Sequence, residues 1–186
     1  MSVPSPGSYR PRTMVHPGPM APVRLEHVAA HGQRQWRLSL ASGQVLLPAI
    51  TAALGAQGVH AASLALLGGE LQTVAYCLPI PDPEGQVIAT YGEPLVLHHV
   101  RLLRASATLG VGVDGSPVIH CHATFADAQG AVRGGHVLPD RTVVGRRPVT
   151  VLATALNGID LRLGFDPETR LHMLRPSEKK SAKQDD

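Results

Sequence analysis

The chain has 186 residues and a mass of 19.6 kDa, a length that suits one domain. Hydrophobic residues make up 44% and charged residues 17%, which excludes disorder throughout, and aromatics at 3% leave a core of Ala, Val and Leu. The net charge of +3 gathers at the start, where residues 1–37 carry five arginines against one glutamate; residues 38–165 carry seven against eight acids, which excludes a broad basic face for duplex DNA there.

Residues 1–22 hold six prolines among Gly and Ser, the composition of a flexible arm ahead of the folded domain. No apolar signal segment opens the chain, the longest apolar stretch (Ala61 to Leu67) is too short to span a bilayer, and Cys77 and Cys121 stand far apart. A cytoplasmic protein without a disulfide framework or membrane contact is expected. Gln35 to Leu40 alternates Trp36, Leu38 and Leu40, a strand pattern, and Ser42-Gly43 turns the chain. Leu46, Ile50, Ala53 and Leu54 follow at helical spacing, with Pro48 in the first turn and Gly58 as the stop.

Strands are then predicted over 59–67, ended by Gly68-Gly69, and over 71–78, stopped by Pro79, Pro81 and Pro83. Further strands are predicted over 86–91, 95–104, 105–113, 118–126, 131–138 and 149–156. One helix with many closely spaced strands gives an α+β single domain, a largely antiparallel sheet packed by one or two helices, over 23–176. Residues 177–186 read as a disordered polar tail.

The segment His120-Cys121-His122-Ala123-Thr124-Phe125 carries the clearest chemistry. Strand alternation turns Ile119, Cys121, Ala123 and Phe125 to one apolar face, and His120, His122 and Thr124 to the other. Asp127-Ala128-Gln129-Gly130 suits a three-residue hairpin loop closed by a left-handed glycine. With Ala128 to Gly130 as the loop, His136 lands opposite His122 and diagonal to His120, so three imidazoles share one face. A two-residue loop would turn His136 to the other face. Three histidines with an open fourth position suit a divalent metal, zinc by the preference of imidazole; the plainer alternative is a polar histidine ladder at a subunit contact. Gly134-Gly135 marks either a close backbone approach or a bulge.

Leu66-Leu67-Gly68-Gly69, Gly92-Glu93-Pro94-Leu95 and the run HCHATFADAQGAVRGGHVLP together resemble the PPC domain, the domain conserved in plants and prokaryotes, from Trp36 to Asn157. The resemblance implies a twisted sheet flanked by helices, a homotrimer and an architecture shared with acetolactate decarboxylase, whose corresponding histidine cluster holds a divalent metal. His120, His122 and His136 are the positions that carry over, and no carboxylate ligand or catalytic arginine is matched. Plant members carry an upstream AT-hook with an Arg-Gly-Arg-Pro core; this sequence has none.

The resemblance implies a trimeric metal-binding module with a DNA-associated or regulatory role. The alternative is a metal-dependent lyase or decarboxylase-like enzyme acting on a small carbonyl or carboxylate compound. Any DNA contact is expected to be weak and to run through the N-terminal arm, with Tyr9-Arg10-Pro11-Arg12 on the phosphate backbone. Gly145-Arg146-Arg147-Pro148 has the wrong order for an AT-hook. His98 and His99 are expected to face opposite sides of a strand, one packed and one in solvent, and His16 to be a solvated loop residue.

Overall fold

The computed structural model describes residues 14–179; Tyr9 to Arg12 and residues 180–186 lie outside them. The fold is α+β and mostly antiparallel, with one helix and a single 3-10 turn, Pro139–Arg141, among the described residues. Strand β1 (Gln35–Leu40) leads to α1 (Leu46–Gly55), whose Leu46, Ile50 and Leu54 are buried in the core at the expected spacing. Strands β2 (Ala62–Leu67) and β3 (Glu70–Cys77) follow, separated by Gly68 and Gly69, both at positive φ. No helix among the described residues is long and apolar enough to cross a membrane.

Two short strands, β4 (Pro79–Pro81) and β5 (Ala89–Tyr91), pair with each other. The strand predicted over 86–91 is shorter than expected because the Asp82 carboxylate accepts the N–H groups of Gln86 and Val87, turning that backbone away from a ladder. The next two predicted strands are one, β6 (Leu95–Val111). Its register against β7 (Pro117–Ala126) shifts between Leu102 and Arg104. The inward positions change there from Val100 and Leu102 to Ala105, Ala107 and Leu109. One extra residue in a strand inverts the apolar phase, so the sequence pattern reads as two elements.

Strands β8 (Val132–Val137), β9 (Val143–Val144) and β10 (Val149–Ala155) complete the main path, in the spatial order β1-β10-β2-β6-β7-β8-β3-β9. Because β3 pairs with both β6 and β8, the sheet curls back on itself around the core. A hairpin absent from the sequence reading, β11 (Ile159–Asp166) and β12 (Leu171–Glu178), joins β6 through Arg162 and Val111. Ser177 and Glu178, assigned by composition to the polar tail, pair with Asp160 and Ile159 as the end of β12.

Residues 14–34 carry no helix or strand, yet part of this stretch is tied down. Glu168, in the β11–β12 turn and 8% exposed, accepts the Ala21 N–H at 2.9 Å and binds the side chains of Arg24 and His16. The Gly18 N–H bonds the Glu168 carbonyl at 2.9 Å. The Ala21 N–H first, then Arg24 and His16, hold the Glu168 carboxyl down to about 2. His16 is thus a partner of this carboxylate and not a merely solvated loop histidine.

Candidate metal centre

Strand β7 alternates as its sequence requires: Ile119, Cys121, Ala123 and Phe125 are buried, and His120, His122 and Thr124 are exposed. The loop that follows has Gly130 at φ +82°. The Asp127 N–H bonds the Ala131 carbonyl at 3.0 Å, and the Asp127 carboxylate accepts the N–H groups of Gln129 and Ala131. This is the three-residue loop expected from the sequence, and it pairs His122 with His136.

A second contact fixes β8 from its other edge. Cys77 of β3 pairs with His136, and the Leu138 N–H bonds the Ala75 carbonyl at 2.8 Å. Between the alternatives for Gly134-Gly135, the structure has the close approach: the β7–β8 register runs unbroken through both glycines. A Cβ on Gly135 would lie 2.7 Å from the Cys77 carbonyl oxygen and 2.8 Å from the Tyr76 ring. Absence of a side chain there lets β3 press against β8 and set the position of His136.

The three rings converge. Centroids are 4.9 Å apart for His120–His122, 4.9 Å for His120–His136 and 5.3 Å for His122–His136. One ring nitrogen from each lies within 4.8 Å of the others, and the Nε2 atoms of His120 and His122 are 3.0 Å apart. The Tyr91 ring sits 5.1 Å from that of His136. The Nδ1 atom of His136 is buried with no hydrogen-bond partner among the described residues, an arrangement that normally costs stability unless something fills the valence.

Burial first, then the neighbouring His120 and His122, pushes His136 down to about 4. Burial and His122 likewise lower His120. These groups are therefore held in the neutral form that binds metal. All-imidazole donors, an orphaned buried nitrogen and neutral rings fit a divalent ion of the zinc type.

The low value at His136 has a consequence for the metal-free protein. Between pH 6.5 and pH 4 the unfolded chain takes up a proton that the folded chain refuses, so stability falls as pH drops through that window. The full shift is equivalent to about 3 kcal/mol, and solvent reaching the half-buried ring reduces the expected loss to about 2 kcal/mol. Denaturant midpoints at the two ends of the window should show it, and the His136→Phe variant should show less of it. An equal loss in the variant would contradict this assignment.

Cys121 points into the core at 1% exposure, its thiol pushed up to about 12 by burial, and offers no ligand to the histidine face. His98 and His99 are both exposed, against the expectation that one packs. His99 lies at φ +53°, a left-handed residue that breaks the strict alternation of faces. The Gly145–Pro148 segment serves as backbone linkage: the Gly145 N–H bonds the Glu70 carbonyl and the Glu70 N–H bonds the Arg147 carbonyl.

Residues 28–156 match the family model of the Plants and Prokaryotes Conserved (PCC) domain. Three solved structures share the fold. The metal-containing protein of Archaeoglobus fulgidus is 21% identical with a TM-score of 0.63, over 82% of this chain and 99% of that one. A plant- and prokaryote-conserved protein from Pyrococcus horikoshii is 16% identical, TM-score 0.63, over 84% and 100%. A candidate DNA-binding protein from Ralstonia eutropha is 19% identical, TM-score 0.61, over 75% and 89%. No curated protein matches the chain.

Proposed function

The chain belongs to the Plants and Prokaryotes Conserved domain family, and from that membership we propose that it is a trimeric module holding one zinc ion on His120, His122 and His136. The observation that carries the reading is the convergence of three imidazoles, one ring nitrogen from each lying within 4.8 Å of the others. Strand β7 supplies two ligands two residues apart, β8 supplies the third, and β3 clamps β8 through Gly135. A divalent ion in such a site supplies Lewis acidity to a bound oxygen. The metal-containing relative from Archaeoglobus fulgidus supports the same reading.

Self-association is supported by apolar side chains left in solvent. Leu78, Ile80, Tyr91, Leu95 and Val96 are exposed on β4, β5, the start of β6 and the link between β3 and β4, apolar side chains that a partner chain would cover. Purified protein is expected to carry one zinc per chain by elemental analysis and to scatter light as three chains of 19.6 kDa. Protein that takes up no zinc on addition would remove the metal reading, and a monomer at micromolar concentration would remove the trimer.

A DNA-associated role is a second reading, favoured by the arginines of the N-terminal segment and by the candidate DNA-binding relative. Binding of this kind is weak and falls steeply with salt. Removing residues 1–13, which carry Arg10 and Arg12, should abolish it in a mobility-shift titration. Equal binding by the shortened protein would locate the contact elsewhere. Lyase-type chemistry on a small carbonyl or carboxylate is a third reading, favoured by a pocket that opens on His120 and His136.

A further inference from the structure

We propose that the β11–β12 hairpin and the histidine face form a binding pocket for an aliphatic carboxylate, with its head on the histidine-held ion and its chain along the hairpin. The inference rests on the metal reading above and adds the class of ligand. The pocket encloses about 520 Å³, within the range of small-molecule sites. Two of the three histidines, His120 and His136, line it, together with Tyr91.

The remaining wall is mostly aliphatic. Leu161, Leu163, Leu171, Met173 and Leu174 come from the hairpin, and Val118 from the β7 side. Thr108 and His172 add polar atoms, but among the described residues no Lys, Arg, Asp or Glu lines the pocket. The cation held by the histidines would therefore be the counter-charge for an anionic head, and a carboxylate oxygen is a ligand that zinc accepts. Leu and Met walls suit a flexible chain better than a polar body. The hairpin begins at Ile159, beyond the last residue matched to the family model, so most of the chain-binding wall lies outside that match.

The test uses the full-length protein loaded with cobalt(II), a visible reporter for a zinc site. Acetate, butanoate, hexanoate and octanoate are titrated in turn, with affinity read by calorimetry and ligation by the cobalt absorption spectrum. Affinity is expected to rise about fourfold per methylene, the equivalent of about 0.8 kcal/mol, with the same spectral change for every acid. Leu163→Asn and Met173→Asn should flatten the series. Met173 is 46% exposed, so its variant keeps the test open if Leu163→Asn fails to fold.

Equal affinity for acetate and octanoate in cobalt-loaded protein would overturn the pocket and leave the metal site standing. So would a chain-length series that leaves the cobalt spectrum unmoved. Protein that binds no cobalt would overturn the metal reading and this inference with it.

Discussion

Replacing His122 by alanine is expected to weaken zinc binding by more than about a hundredfold, beyond what losing a group around the ligands costs. His122 is paired directly with His136 and its Nε2 lies 3.0 Å from that of His120, so its removal takes one donor out of the centre of the cluster. Its side chain is exposed, and the metal-free variant should unfold at the wild-type denaturant midpoint. Cys121→Ser is the contrasting variant. That side chain is buried on the opposite face, so a hydroxyl there should cost about 1–3 kcal/mol while zinc affinity holds. Calorimetric zinc titration of the two variants separates the outcomes, and retained affinity in His122→Ala would remove this residue from the ligand set.

The second large effect falls on stability. Phe125 is fully buried and stacks edge-on against Tyr76, with ring centroids 5.1 Å apart. In a core with so few aromatic rings, these two tie β7 to β3. Phe125→Ala should cost about 3–5 kcal/mol and lower the melting temperature by about 10 °C or more. Added zinc should recover part of the loss, because an ion that binds only the folded state stabilises it by mass action. A cost below about 1 kcal/mol would mean that the cavity collapses and that the β7–β3 contact is held by other groups.

The histidine face was legible because its determinants are local. Alternation along β7 and the turn chemistry of Asp127 and Gly130 fix the register within a few residues, and register decides which face each side chain occupies. The helix was legible for the same reason, from the spacing of Leu46, Ile50 and Leu54. Non-local features were hidden. The clamp of β3 on β8 depends on Gly135 meeting Cys77 and Tyr76, residues about sixty positions away, and the sequence gives only an ambiguous glycine pair.

The bulge in β6 hid the continuity of that strand by inverting its apolar phase. The β11–β12 hairpin did carry a signal, the alternation of Ile159, Leu161, Leu163 and Phe165 before the turn at Pro167. It lies past the segment that resembles the family. Missing it also hid Glu168, whose capture of the chain near Ala21 no local pattern announces, and the pocket wall that faces His120 and His136.

Anomalous scattering at the zinc edge, from crystals grown with zinc, would locate an ion among the three imidazoles. One strong peak per chain is expected, about 2.0–2.1 Å from a ring nitrogen of each of His120, His122 and His136. A peak bound by other residues, or none at this cluster in crystals containing zinc, would contradict it.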